Sequence, residues 1–141
     1  MTIAKLMKSA VLSLPANANL DTAWACMEEA GIRHLPVADQ KGLLVGVVSQ
    51  RELLRARDVM RAAEGRRQQL RLGDIMRTDV YKVPPELPAH EAAAMMIEHK
   101  LGMLPVVEAD GRIVGIVTET DFLEVAREAL LGVEPAQRAR A

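Results

Sequence analysis

The sequence predicts a mixed α+β (α/β) fold, in which two β-α-β-β-α repeats pack with pseudo-two-fold symmetry. Shifted by 69 positions, the chain aligns with itself without a gap, and about 15 of the 52 pairs between residues 3–54 and 72–123 are identical. Each copy then carries the same order of helical and strand-like patterns. A copy of about 50 residues buries too little surface to be stable alone, so we expect the two to form one body.

The composition excludes several classes of protein. Half of the 141 residues are apolar, a quarter are charged and the net charge is −1, whereas a disordered chain is poor in apolar residues and highly charged. A nucleic-acid-binding domain is usually basic, so we expect no nucleic-acid partner. No apolar run approaches the roughly 18 residues of a membrane span, and residues 1–5 lack the apolar core of a signal peptide. With Cys26 as the single cysteine, we expect a cytoplasmic protein without a disulfide framework or a membrane anchor.

The first half of each copy predicts a strand and a helix. Short extended runs at 11–14 and 80–83 end at Pro15 and Pro84. The next segments place apolar residues at the i, i+3, i+4, i+7 spacing of an amphipathic helix. Those residues are Leu20, Ala23, Trp24 and Met27, matched by Ala89, Ala92, Ala93 and Met96. Gly31 is suited to end the first helix, and Lys100 and Gly102 lie near the corresponding place in the second copy.

The second half of each copy predicts a hairpin followed by a helix. β-rich runs at 35–38 and 43–48, and again at 104–107 and 113–117, are joined by glycine-containing turns at 39–42 and 108–111. The second helices are expected to begin after Ser49 and Thr118. We therefore divide the chain into repeats at 1–60 and 72–131, a linker at 61–71 and a flexible tail at 132–141. Segment 51–71 holds seven arginines and three acidic residues, which fits either a solvated helix face or a nearby anionic partner.

The junction between the last strand and the second helix of each copy contains side chains that could bind a ligand. Ser49 and Glu52, like Thr118 and Asp121, combine a hydroxyl at a helix start with a carboxylate three residues later. A helix start favours a phosphate, and a carboxylate can accept two hydrogen bonds from a ribose diol. The same spacing is that of a capping box, which needs no ligand. We favour the cap for Ser49/Glu52 and ligand binding for Thr118/Asp121, because Asp is the poorer capping-box partner.

Together these motifs resemble a CBS domain pair, or Bateman module. The resemblance is carried by Leu-Pro-Val at 35–37 and 104–106, by the glycine-containing hairpins, and by the junctions Gly-Val-Val-Ser at 46–49 and Gly-Ile-Val-Thr at 115–118. It covers residues 3–123. It implies a stand-alone tandem CBS protein that is a regulatory sensor rather than an enzyme. Such a module binds AMP, ADP, ATP or S-adenosylmethionine between its repeats, requires no other cofactor, forms a homodimer and regulates a partner protein.

The resemblance also implies two ligand sites. The first would use Thr118, Thr120 and Asp121 for phosphate and ribose, with the adenine against Ala18, Ala23, Ile32 and Arg33 and with His34 near the cleft. The second would use Ser49, Arg51, Glu52, Leu87, Ala92, Leu101 and Gly102. Glu52 departs from the family's Asp, and its extra methylene moves the carboxylate by roughly 1.3–1.5 Å, more than a bidentate contact tolerates. We therefore expect one competent site and one impaired site.

Two alternatives remain open at the level of sequence. Glu52 and the capping-box interpretation of both junctions favour a structural oligomerisation or docking module with vestigial nucleotide sites. An enzyme is disfavoured because no pair of nucleophile and base can be read from the chain. A metal site is also not expected, because the histidines at 34, 90 and 99 and Cys26 share no metal-ligand spacing.

Overall fold

The computed structural model describes residues 1–63 and 69–132 and confirms the mixed α+β class. In chain order its elements are α1 (Ile3–Leu6), α2 (Leu20–Ala30), β1 (His34–Ala38), β2 (Leu44–Ser49), α3 (Gln50–Ala62), α4 (Leu72–Ile75), α5 (Ala89–His99), β3 (Met103–Val107), β4 (Ile113–Thr118) and α6 (Glu119–Leu131). The predicted flexible tail lies outside the described residues except for Gly132, and so does the middle of the predicted linker.

Each repeat contains one antiparallel hairpin, and the two hairpins have the same register. β1 pairs with β2 from His34 opposite Ser49, and β3 pairs with β4 from Met103 opposite Thr118. A bulge interrupts each ladder at the equivalent place, after Val37 and after Val106. The 69-residue offset of the sequence therefore holds residue by residue in the two sheets. It brings the two Ser/Thr junctions to equivalent positions at the ends of β2 and β4.

The predicted first strands are wrong as full strands. The run at 11–14 makes one parallel bridge, between Leu14 and Val37, and the run at 80–83 makes one between Val83 and Val106. Each bridge has two backbone hydrogen bonds, of 3.0–3.2 Å in the first copy and 2.9–3.0 Å in the second. Pairing stops there because a proline follows directly in each run, and a proline has no N–H to donate to a sheet.

Both longer helices that precede a hairpin have defined caps. The Asn19 side chain accepts a hydrogen bond of 2.7 Å from the Thr22 N–H and caps the start of α2. As the sequence indicated, Gly31 caps the end of α2 with a left-handed φ of 66°, and Lys100 caps the end of α5 with a left-handed φ of 54°. Glycine adopts this conformation without a steric penalty, whereas lysine does not.

The segment that opens each sequence repeat packs on the other repeat. In α1, the Ile3 N–H donates to the Leu87 carbonyl at 2.9 Å, and Lys8, just beyond this helix, pairs with Ile116 of β4. In the same way the Leu72 N–H of α4 donates to the Ala18 carbonyl at 3.0 Å, and Arg77 pairs with Val47 of β2. The sequence patterns did not predict this reciprocal exchange.

Two buried cores reflect the exchange. The first core contains Leu72 of α4 among residues of the first repeat, and the second contains Ile3 of α1 among residues of the second. Gly46 makes room for the exchanged chain, since a Cβ there would lie 2.8 Å from the Arg77 carbonyl oxygen. Gly115 lies against Met7 in the equivalent way. These glycines allow each segment to pair with the edge of the neighbouring hairpin.

Candidate ligand-binding site

The starts of α3 and α6 are hydrogen-bonded to the residues that precede the first strands of their own hairpins, at the open end of each hairpin. The Gln50 N–H donates to the Arg33 carbonyl at 2.8 Å, and the Glu119 N–H donates to the Gly102 carbonyl at 3.2 Å. Each bond connects the first residue of a helix to the residue just before the first strand of the hairpin, Arg33 before β1 and Gly102 before β3. The hydroxyl and carboxylate of each junction therefore lie beside the residues at which the two hairpins begin.

Ser49 and Glu52 form a complete capping box, which confirms the structural interpretation of this junction. Glu52 Oε1 accepts from the Ser49 N–H at 3.0 Å, and Ser49 Oγ accepts from the Glu52 N–H at 3.1 Å. Glu52 Oε2 lies 3.5 Å from Nε of Arg77, on the exchanged segment. The Glu52 side chain retains 20% of its surface exposed.

Asp121 is more enclosed than Glu52. Its Oδ2 accepts from the Thr118 N–H at 2.8 Å and from the Thr118 hydroxyl at 3.2 Å. Its Oδ1 lies 3.4 Å from Nζ of Lys8, and the side chain is only 3% exposed. Lys8 and Arg77 are 69 positions apart, so each junction carboxylate faces a base from an exchanged segment.

The described residues enclose a cavity of about 800 Å³ between the two repeats, on the side of Glu52. This volume lies within the 300–1,000 Å³ typical of small-molecule pockets. Its walls come from the β1–β2 hairpin and the start of α3 in one repeat, and from residues before and after α5 in the other. The lining residues are Arg33, His34, Val47, Ser49, Gln50, Arg51, Glu52, Leu54, Arg55, Arg77, Asp79, Val80, Tyr81, His99, Lys100, Leu101, Gly102, Met103 and Pro105.

The cavity brings together only part of the residues that the sequence nominated. Ser49, Arg51, Glu52, Leu101 and Gly102 of the second nominated site line it. Arg33 and His34, nominated for the first site, also line it and therefore lie beside Glu52.

The remaining nominated residues do not line this cavity. Thr118 is half-buried and Thr120 is exposed, both at the junction of β4 and α6. Ala23 and Ala92 are fully buried in the two cores, so their side chains support the fold and have no surface for a ligand. Ala18, Ile32 and Leu87 are half-buried and pack against those cores. Among the adenine walls implied by the resemblance, Ala23 and Ala92 are therefore the two that the structure withdraws from the surface.

Several residues that line the cavity are not among those that the sequence predicted. Tyr81 stacks on His99 with ring centroids 4.3 Å apart, and its hydroxyl lies 3.2 Å from His99 Nδ1. Arg77 could have been found, because the 69-residue offset aligns it with another base, Lys8. Tyr81, His99 and Lys100 have no polar counterparts in the first copy, so the repeat carries no signal for them.

His34 lies close to both junctions. Burial lowers the pKa of its imidazole below the ordinary value of 6.5, an effect that the carboxylates of Glu52 and Glu119 oppose and that Arg33 and Arg77 reinforce. Its Cε1 is 3.3 Å from where a Cβ on Gly102 would stand, so the imidazole nearly touches the start of the second hairpin. His34 is therefore held mainly neutral at pH 7, at the contact between the repeats.

The described residues offer no metal cluster, since no three His, Cys, Asp or Glu side chains within 1–63 and 69–132 are grouped to hold an ion. The helices in these same ranges are all too short or too polar to cross a bilayer.

Comparison with known proteins gives two matches at the level of sequence. The CBS domain family model matches residues 3–59 and 72–128. A CBS domain-containing protein of Dictyostelium discoideum is 31% identical over 139 residues, covering 94% of this chain and 96% of that protein.

Two solved structures show the same fold. An acetoin utilization protein (AcuB) of Vibrio cholerae superposes with a TM-score of 0.82 at 35% identity, covering 92% of this chain and 94% of that one. CBSX2, from Arabidopsis thaliana, crystallised in complex with AMP, superposes with a TM-score of 0.79 at 27% identity, covering 91% of this chain and 97% of that one.

Proposed function

Since this chain belongs to the CBS domain family, we propose that it is a regulatory module that binds an adenosine nucleotide between its repeats. The observation that carries the proposal is the cavity of about 800 Å³, because it lies between the repeats and has the Ser49–Glu52 junction on its wall. The complex of CBSX2 with AMP supports the choice of ligand, since that protein is similar to this chain over nearly its whole length.

The chemistry of the cavity wall suits the three parts of a nucleotide. Val47, Val80 and Leu101 offer apolar surface for a purine ring. The partly exposed carboxylate of Glu52 can accept hydrogen bonds from ribose hydroxyls, and Arg77 beside it holds the carboxylate in place. The guanidinium groups that line the same cavity favour a phosphate by charge.

The junction of Thr118, Thr120 and Asp121 is proposed to bind a ligand more weakly than the Glu52 cleft does. Its carboxylate is bonded to Thr118, paired with Lys8 and only 3% exposed, so a ligand has less access to it than to Glu52, which is 20% exposed. Lys8 is mostly exposed and can turn outward at little energetic cost. In this proposal the Glu52 cleft fills first and the Asp121 junction binds more weakly, the reverse of the order expected from the Glu52 substitution alone.

Regulation follows if the nucleotide prefers one arrangement of the repeats. A ligand that contacts residues of both halves stabilises the arrangement in which those contacts coexist, and a partner protein can respond to that shift. The proposal assigns the chain no catalytic step. The partner would recognise the outer surface of the module rather than the cleft.

Thermal denaturation with AMP, ADP, ATP and S-adenosylmethionine tests the function. A ligand at one hundred times its Kd adds about 2.7 kcal/mol to the free energy of unfolding, so we expect a clear rise in Tm. Glu52→Gln should reduce that rise while its remaining carbonyl oxygen preserves the cap.

Asp121→Asn is the matched control for this measurement, because it makes the same charge change at the other junction. It should leave most of the ligand-induced rise in Tm intact. Absence of any rise with all four compounds at millimolar concentration would contradict the nucleotide function.

An oligomerisation or docking module is the second candidate. The specific observation in its favour is that both junction carboxylates are already paired with bases, Glu52 with Arg77 and Asp121 with Lys8. We also propose that the chain forms a homodimer through α6, which exposes several large apolar side chains. The dimer is compatible with either candidate function, whereas the ligand measurement separates the two.

A further inference from the structure

We propose that the Glu52 cleft selects nucleotides carrying two or three phosphates over the monophosphate, and that Lys100 is a specificity-determining residue for the added phosphates. This inference rests on the proposed nucleotide function and concerns the same cleft. It is carried by two independent observations, the charge of the cavity wall and the backbone conformation of Lys100.

The wall of the cavity has an excess of three positive charges. Five cations line it, against the carboxylates of Glu52 and Asp79; the cations are Arg33, Arg51, Arg55, Arg77 and Lys100. Arg77 is paired with Glu52, whereas among the residues that the structure describes the other four lie within 4 Å of no carboxylate. Each phosphate added to a nucleotide brings further negative charge to this excess of cations, so a chain of phosphates gains more electrostatic attraction than a single phosphate does.

The equivalent positions of the other cleft lack this excess. Moving every lining residue by 69 positions gives two cations, Lys8 and Arg33, against the three carboxylates of Glu119, Asp121 and Glu124. Arg51 is thus replaced by Thr120, Arg55 by Glu124 and Lys100 by Gly31. The two repeats therefore share one backbone arrangement, but the cationic wall is found at the Glu52 cleft and not at the equivalent positions near Asp121.

Lys100 is the one residue other than glycine with a positive φ in the described parts of the chain. Its φ is 54°, and its equivalent in the first repeat is Gly31 with a φ of 66°. An L-residue is strained in this conformation, and such strain is concentrated at functional positions. Lys100 lines the cavity and its side chain is exposed, so its ammonium group can reach a bound anion without first breaking an ion pair within the described residues.

A purely structural role for Lys100 makes a different prediction. A cation at the end of α5 is favoured by the helix dipole and would contribute to stability alone. Replacing Lys100 by glycine removes the charge and relieves the backbone, so it separates the two roles. Binding falls if the ammonium group contacts phosphate, and binding is unchanged if the residue merely ends the helix.

Isothermal titration of the full chain with adenosine, AMP, ADP, ATP and inorganic tripolyphosphate tests the inference. We expect the wild type to bind ATP roughly tenfold or more tightly than AMP, the effect of about one added charged contact. Lys100→Gly should weaken ATP binding by roughly the same factor and change AMP binding less than about twofold, with Tm unchanged or raised. Lys41→Gln, in the β1–β2 turn away from the cavity, is the charge-matched control and should bind ATP as the wild type does.

The titrations distinguish a failure of the phosphate selectivity from a failure of nucleotide binding itself. Equal affinity of the wild type for AMP and ATP, or undiminished ATP binding by Lys100→Gly, would overturn the selectivity while leaving nucleotide binding in place. Binding of none of the adenosine compounds would overturn both. If tripolyphosphate binds as tightly as ATP, the cations recognise the phosphate chain alone, which overturns the proposed adenosine function and with it the selectivity among nucleotides.

Discussion

His34 illustrates how a single residue near the contact between the repeats acquires unusual properties. Its imidazole is half-buried between the two junctions, and burial is the main cause of its lowered pKa. Glu52 and Glu119 attract a proton to it, whereas Arg33 and Arg77 repel one. The fold therefore favours neutral His34, while the unfolded chain binds a proton at the ordinary pKa near 6.5.

This pKa shift predicts that the protein loses stability on mild acidification. As pH falls through about 6.5, the unfolded state gains a proton that folded His34 resists, so the free energy of unfolding decreases by at most about 1.4 kcal/mol per pH unit. Urea denaturation between pH 7.5 and 5.5 should show this slope, and His34→Gln should flatten it. His90→Gln, on the exposed surface of α5, is the control and should retain the slope. The same slope in both variants would contradict the assignment to His34.

Contacts within one helix start could be predicted from the sequence, whereas contacts between distant segments could not. The bonds between Ser49 and Glu52 span three residues of one helix start, so a local pattern predicts them. The pairs of Glu52 with Arg77 and of Asp121 with Lys8 join distant segments, and they depend on an exchange that no local pattern contains. The resemblance placed Ala23 and Ala92 at ligand walls, but the helical spacing that makes them apolar also buries them.

At the scale of elements, α3 and α6 have equivalent places in the fold but different outer faces. Leu123, Ala126, Arg127, Leu130 and Leu131 form a largely apolar groove on α6 at the spacing of one helix face. The equivalent positions on α3 are Leu54, Arg57, Asp58, Arg61 and Ala62, most of which are polar. Helical periodicity alone could not separate a buried face from an exposed one, so the sequence did not locate this surface.

The exposed face of α6 predicts the contact of a homodimer. Leu123 and Leu130 are 67% and 54% exposed, and replacing both with glutamate would place charges in the middle of such a contact. Native mass spectrometry should show a dimer for the wild type and a monomer for Leu123→Glu/Leu130→Glu. Ile97→Glu is the control, because Ile97 is 79% exposed on α5, and this variant should remain dimeric. A wild-type monomer, or a dimer that survives the double substitution, would rule out this surface.

At the scale of the whole molecule, the packing units differ from the sequence repeats. The 69-residue offset predicted the doubled architecture because most aligned positions keep their apolar or polar character. It did not predict that α1 and α4 exchange places, because helices of four residues carry too few positions for a periodic pattern. The unit around the first core is therefore continuous from about residue 9 to residue 79, whereas the second unit also needs residues 1–8.

This exchange predicts which fragments can fold. Residues 9–79 contain Leu72 and the pairing of Arg77 with Val47, and we expect weak but cooperative urea unfolding from this fragment. Residues 1–63 contain the whole first repeat as the sequence defines it, residues 1–60, but lack Leu72 of the core, so we expect them to be unfolded. Circular dichroism distinguishes the two, and cooperative unfolding of 1–63 would contradict the role assigned to α4.

The exchange also determines how the molecule responds to mechanical tension. The leading residues pair with Ile116 of β4, and the trailing helix α6 continues directly from that same strand. Tension applied between residues 1 and 132 is therefore borne first by the second unit. Only when Lys8 separates from β4 does the force reach α2 and the β1–β2 hairpin. Pulling from the two ends should thus rupture the halves in a fixed order, despite their near-identical architecture.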